Sequence, residues 1–204
     1  MKVVSFGAGA LGMMLSGFAF AAQNGTVNFE GEVVNSTCNV VPADQDKTVV
    51  LPTVSVSALD TAGATAGATP FSISLENCTV GDGGSPPVSE LSLPVSATAA
   101  NQFDVSAYFE PGGTVDSSTG RLINTASDGD GATNVQIELL NSQGAPIAIR
   151  EVGGDGLQPG AEWYAVDGDD GAVTMNYFAR YHATGGPATA GVVSSTVDFT
   201  LTYQ

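Results

Sequence analysis

From Gly25 to Val33 the chain alternates strictly: Gly25, Val27, Phe29, Gly31 and Val33 are apolar or glycine, while Thr26, Asn28, Glu30 and Glu32 are polar. A period of two marks a strand with one face in a core and the other in water. The far end repeats the pattern, because Val193, Val197, Phe199, Leu201 and Tyr203 alternate with Ser194, Thr196, Asp198, Thr200 and Thr202. Both ends therefore read as amphipathic strands, and the first has no earlier strand in its own molecule to pair with.

Between them the same reading gives a series of short strands. They are Val33–Val41, stopped by Pro42 and a polar turn over Ala43–Asp46, then Thr48–Leu51, Phe71–Leu75, Val88–Ala97 and Val105–Phe109. Asn134–Leu140, Ala145–Ile149, Trp163–Val166, Met175–Ala183 and a last strand from Val192 to Gln204 follow. Pro94 confines its strand to an edge or a bulge. Asn141–Gly144 is a four-residue hairpin connection. Gly81–Pro87, Pro111–Gly131 and Asp167–Gly171 are turn-rich breaks. The Ala-Gly-Thr tract Thr61–Thr69 has no periodic apolar face and contains Gly63 and Gly67, so it reads as a surface loop. Short strands with Gly, Asn and Asp between them, and no amphipathic helical period, predict an antiparallel sandwich of immunoglobulin-like type.

The 204 residues correspond to one domain, and a 43% hydrophobic content is enough to fill a core. A formal charge of -16 with five basic residues repels phosphates and anionic lipid surfaces, which excludes nucleic acid as a partner. Residues 1–21 form a separate unit: Lys2 precedes an apolar run that ends in Ala19-Phe20-Ala21, the pattern of a secretory signal cut before Ala22. That run contains Gly7, Gly9 and Gly12 in dinucleotide-fingerprint spacing, but the strand, helix and second parallel strand that the fingerprint requires do not follow. Cys38 and Cys78 are the sole cysteines, and in an oxidising compartment such a pair most simply closes one disulfide. The alternatives are free thiols or a metal site, the latter opposed by the lack of a C-x-x-C pair and by the single histidine, His182. There is no G-x-S-x-G and no H-E-x-x-H motif. The acidic turns at Asp128–Gly131 and Asp167–Gly171 lack EF-hand spacing and read as solvated turns. No enzyme activity, cofactor or metal is expected, and His182 reads as a surface strand residue.

Four motifs carry a resemblance that spans essentially the whole chain after residue 21. They are G-T-V-x-F-x-G-E-V-V-N ahead of Cys38, F-S-I-x-L-x-x-C ending at Cys78, A-T-N-V-Q-I from Ala132, and F-A-R-Y-x-A-T-G from Phe178. With the penultimate Tyr203 and with Gly191 at the fourteenth place from the end, the chain resembles the subunits of chaperone-usher fimbriae, most closely the type 1-like major pilins.

The resemblance implies an all-β, incomplete immunoglobulin-like sandwich completed by a donor strand from a neighbouring subunit. Residues 1–21 would be the signal peptide, 22–35 the N-terminal donor-strand extension and 36–204 the pilin domain. Gly25, Val27, Phe29, Gly31 and Val33 would enter a neighbour. Gly191, Val193, Val197, Phe199, Leu201, Tyr203 and Gln204 would form the acceptor groove and chaperone-binding edge, with the terminal carboxylate as the chaperone's anchor. The implied partners are identical or related pilin subunits, a periplasmic chaperone and an outer-membrane usher, on the way through the periplasm to a cell-surface fimbria that supports adhesion. The alternative is a free-standing secreted carbohydrate-binding sandwich, which would complete its own fold. The exported protein is expected to begin at or near Ala22; N-terminal sequencing that finds Met1 or Lys2 on the mature protein would refute the leader assignment.

Overall fold

The computed structural model describes residues 31, 33–34, 37–79, 102–126, 129–167 and 171–204. By contacts the chain divides into Met1–Val33, described only at Gly31 and Val33, and Val34–Gln204. Within the second unit ten strands are formed among the described residues. β1 (Thr37–Val40), β2 (Thr65–Thr79), β9 (Val173–Ala183), β6 (Val135–Leu140), β5 (Arg121–Ile123) and β4 (Val115–Asp116) lie side by side in that order. The short β7 (Pro146–Ile147) pairs with β6 in the same sheet. A second sheet has β3 (Gln102–Phe109) at its centre, flanked by β10 (Phe199–Tyr203) and β8 (Tyr164–Asp167). All these pairs are antiparallel.

Alternation explains how the two sheets meet. On β9 Met175, Tyr177 and Ala179 point inward and are buried, whereas Thr174 and Asn176 are exposed. On β3 Val105, Ala107 and Phe109 do the same from the opposite sheet. The layers lock through Tyr177, whose ring meets Phe109 edge-on at 5.5 Å and Phe71 in a stack at 5.5 Å. Aromatic pairs at these separations add about 0.5–1.5 kcal/mol each beyond the area that they bury. Cys38 and Cys78 are joined in a disulfide across the β1–β2 ladder, beside the Thr37↔Thr79 pair. The bond thus pins two neighbouring strands of one sheet.

Outside the core, Glu138 on β6 is buried between Arg121 and Arg180, at 2.8 and 2.6 Å. Burial alone would raise its carboxyl; the two guanidiniums outweigh that and hold it below the usual carboxylate range. His182, expected at the surface, lies on the same face 4.0 Å from Glu138 and is mostly covered, and burial pushes its imidazole down.

Several elements differ from the sequence pattern. Thr61–Thr69 is not all loop: Thr65–Thr69 belongs to the fifteen-residue β2 and pairs with β9 through Thr65↔His182, Ala66↔Tyr181 and Thr69↔Ala179. Small residues are required there, since a Cβ on Gly67, which has φ +69°, would sit 3.1 Å from the Tyr181 ring. The partner strand supplied an order that the local pattern does not encode. Thr48–Leu51 joins no ladder among the described residues, and of the described part of the strand expected over Val33–Val41, Thr37–Val40 is regular. Pro111–Gly131 is more than a break, because it holds the β4–β5 pair. The last strand is regular only over Phe199–Tyr203. Val88–Ala97 and most of the opening alternation, including Gly25, Val27 and Phe29, lie outside the described residues; Gly31 and Val33 are in no strand.

Replacing Cys38 with Ser opens a loop of about 40 residues and is expected to destabilise the subunit by up to about 4 kcal/mol in the chain-entropy account. Thermal melting and accumulation of soluble protein test it; free thiols on native protein would contradict the bond itself.

Candidate functional site: an apolar groove along the last strand

The backbone of the C-terminal segment is satisfied on one side only. Val192 donates to Asp130 and accepts from Ala132, Ser194 accepts from Thr125, Asp198 accepts from Glu110, and Gln204 exchanges two bonds with Asp104. Side chains fill the gaps: the Asn124 amide oxygen accepts from Ser194 N at 2.9 Å, its Nδ2 donates to Val192 O at 2.9 Å, and the Thr114 hydroxyl donates to Thr196 O at 2.6 Å. Every group in this set belongs to an even-numbered residue. Successive peptide groups of an extended chain point to opposite edges, so the N–H and C=O groups of Val193, Ser195 and Val197 point the other way. Among the described residues they have no hydrogen-bond partner.

Across from that edge runs a second unpaired segment. Among the described residues no backbone hydrogen bond reaches Lys47–Val54. Val49 and Leu51 nevertheless face inward while Val50 is 79% exposed, so the alternation of a strand is present without its ladder. Thr48–Leu51 and Val193–Asp198 thus read as strands in the sequence and are not strands in the fold: among the described residues each lacks the neighbour that would complete a ladder.

Between the two walls lies an apolar groove in two sections. One, of about 520 Å³, is lined by Val49, Leu51, Phe71, Ile73, Val197 and Phe199 among others. The other, of about 400 Å³, is lined by Val54, Leu59, Val135, Tyr181, Ala188 and Val193 among others. Burial along 191–201 alternates with the strand, odd positions from Val193 to Leu201 being half-buried and even ones exposed. Such side chains pack on the core with one flank open. A polar lip borders the larger section: Lys47 contacts Asp44 at 2.6 Å and donates to Ser72 O at 2.6 Å. The Lys47 ammonium, together with the Ser74 amide at 2.7 Å and against the effect of burial, holds the Asp44 carboxyl below the usual range.

Known proteins place this geometry. The fimbrial protein family profile matches residues 27–204. The chain belongs to the fimbrial protein family. It is 42% identical over 184 residues to the major fimbrial subunit SMF-1 of Stenotrophomonas maltophilia (strain K279a), covering 90% of this chain and 94% of that one. It is 40% identical over 204 residues to the F17 fimbrial protein of Escherichia coli, covering all of both chains. Among solved structures, a subunit of a chaperone-usher pilus described for its rod uncoiling superposes with a TM-score of 0.56 at 22% identity, over 90% of this chain and 98% of that one. The protein is thus a structural, type 1-like fimbrial subunit rather than an enzyme, and its fold is the all-β, incomplete immunoglobulin-like sandwich expected from the sequence.

In this fimbrial subunit the sequence-marked residues of the last strand gather on one edge. Val193 lines the smaller section, and Val197 and Phe199 the larger. Leu201 and Tyr203 continue the same face. Tyr203 closes the end: its hydroxyl accepts a hydrogen bond from Cys38 N at 3.0 Å, and its ring lies 5.9 Å from Phe103. Gly191 stands at the opposite end, where a Cβ would collide with the Ala132 amide and approach Asp130 O to 2.7 Å. The Gln204 backbone pairs with Asp104. Residues that no local pattern singled out are Asn124, which takes the place of a strand partner, and Val54, Leu59 and Tyr181, which become groove lining only when distant segments meet.

Gly191→Ala is expected to destabilise the subunit by about 1–3 kcal/mol, since the obstacle is backbone that cannot rotate away. A thermal melt tests it; an unchanged midpoint would refute the close approach.

Proposed function

We propose that this fimbrial subunit polymerises by donor-strand exchange, residues 22–35 of one copy filling the groove of the next after a periplasmic chaperone has held it open and an outer-membrane usher has passed it to the cell surface, where the fibre supports adhesion. The partners are then identical or related pilin subunits. What supports the reading above all is that both walls of the groove have backbone groups free to pair with a strand inserted between them.

Length and chemistry support it as well. Residues 191–199 number nine and span about 30 Å when extended, and Gly25–Val33 has the same nine residues. Burial of Val27, Phe29 and Val33 contributes about 5–9 kcal/mol at roughly 1.5–3 per side chain, before ladder bonds and the cost of association. The terminal carboxylate at Gln204, at the closed end, is the chaperone's anchor in this reading.

A subunit deleted for residues 22–33 keeps an empty groove and should accept a synthetic peptide spanning Ala22–Asn35. At a hundredfold excess over Kd the peptide raises stability by about 2.7 kcal/mol, read as a higher melting temperature. Phe29→Asp in the peptide abolishes most of the gain by placing a charge in an apolar section, whereas Glu30→Gln on the wet face leaves it. A deleted subunit as stable as the whole chain and indifferent to the peptide would overturn the proposal.

A further inference from the structure

The outer face of the first sheet carries a cluster that the groove does not use. Both oxygens of the Glu138 carboxylate on β6 are taken: Oε1 accepts from Arg121 Nε at 2.8 Å, and Oε2 accepts from Arg180 Nε at 2.8 Å and Nη2 at 2.6 Å. His182, the one histidine of the chain, stands beside it with Nε2 4.0 Å from the same Oε1. Its Nδ1 is buried with no hydrogen-bond partner among the described residues. The described neighbours of the ring come from four strands: Arg180 from its own β9, Glu138 and Gln136 from β6, Arg121 from β5 and the neutral Thr65 from β2. Behind them Asp116 of β4 accepts from Gln136 Nε2 at 2.8 Å. Burial opposes a proton on the imidazole most, and the Arg121 guanidinium adds to that; Glu138 and the Ala183 carbonyl favour one, Arg180 again opposes it, and the ring stays neutral to below the usual histidine range. The folded ring therefore takes its proton at a lower pH than the unfolded one. Stability is full above the ordinary histidine range and falls as the pH drops through it.

We infer that His182 is an acid-operated switch of partners: once protonated it takes Glu138 Oε1, displaces Arg121 and slackens the hairpin that holds the groove edge. An imidazolium with a proton on each nitrogen requires an anion, and among the described residues Glu138 is the carboxylate within ion-pair reach. Arg180 holds Oε2 by two bonds, whereas Arg121 holds Oε1 by one, so Arg121 is the tie that yields. Arg121 begins β5, a strand of three residues that meets β6 through Leu122↔Ile137 and Ile123↔Gln136. β5 runs directly into Asn124 and Thr125, which bond Val192 and Ser194. Its hairpin partner β4 follows Thr114, whose hydroxyl donates to Thr196 O at 2.6 Å. The hairpin is thus the neighbour that holds the even side of the C-terminal segment, and the Arg121 to Glu138 pair fastens it to the sheet. At neutral pH the edge is held; in acid it loosens. The inference concerns that edge and stands whatever fills the groove.

The test follows the whole chain by NMR as the pH is lowered through the histidine range. Because His182 is the sole histidine, its ring signal titrates without overlap. The midpoint should lie below the ordinary histidine value, and Arg121→Gln should move it up by removing both a like charge and the competitor for Oε1. As the ring protonates, the Arg121 Nε–H should lose protection from solvent exchange roughly three- to tenfold, the loss of one hydrogen bond, while that of Arg180 stays. Protection of the Thr125 and Ser194 amides should fall over the same pH interval. His182→Gln should leave these protections level across it. A histidine with a packing role alone gives a different result: its replacement lowers protection by one factor at every pH and leaves the acid-dependent fall in place. That result would overturn the inference, as would an Arg121 Nε–H unaffected by the titration, release of Arg180 in its stead, or a midpoint that Arg121→Gln does not raise. The two arginine signals are read on the unaltered chain, so they decide the matter even if a variant fails to fold.

Discussion

Among the described residues, the peptide groups of Val193, Ser195 and Val197 on the C-terminal segment have no hydrogen-bond partner, and the groove is arranged around that edge. The even residues of 192–204 are tied to neighbouring strands and turns, through Asp130, Thr125, Glu110 and Asp104. The odd ones face Lys47–Val54, which is equally unpaired among the described residues. Buried backbone groups are almost always satisfied, and a groove that is both apolar and rich in free donors and acceptors can be satisfied by one kind of ligand, an extended chain. Neither a helix nor a small apolar molecule could pair with both walls.

Keeping such a groove open requires rigid ends. At one, Gly191 lies against the backbone of Asp130 and Ala132, an approach no other residue permits. At the other, Tyr203 ties the last strand to Cys38, which the disulfide fixes to β2. The middle is held by Asn124, whose side-chain amide bonds both Val192 and Ser194. These three contacts come from separate parts of the chain and tie down an edge whose 193–198 stretch is in no regular ladder. The edge-on contact of Tyr177 with Phe109 bridges the two sheets, and Phe71 stacks on Tyr177 from the neighbouring strand of its own sheet.

Charge is distributed to match. On a chain of formal charge -16 the basic residues are used as fasteners: Arg121 and Arg180 on Glu138, Lys47 on Asp44 at the groove lip. Each neutralises a buried carboxylate that would otherwise be costly. Among the described residues whose burial is given, the other carboxylates are exposed or only partly buried, where their charge opposes nonspecific association.

The sequence by itself determined the all-β class, the cysteine pair and the positions of most strands, because alternation is a local property of residues two apart. It also marked Val193, Val197, Phe199, Leu201 and Tyr203 as one face, for the same reason. Only the tertiary structure decided which alternating segments are paired. Thr65–Thr69 lacks the pattern and is a strand because β9 lies beside it; among the described residues, Thr48–Leu51 has no ladder partner and Val193–Asp198 is bonded along one edge only, so both have the pattern without being regular strands. Nor could any local window show that Val54, Leu59 and Tyr181 line one section of the groove, or that the Ser195 hydroxyl, in the other section, has no partner among the described residues. Hydrogen-bond pairing and enclosure are relations between segments far apart in sequence, and they are settled only when the chain has closed on itself.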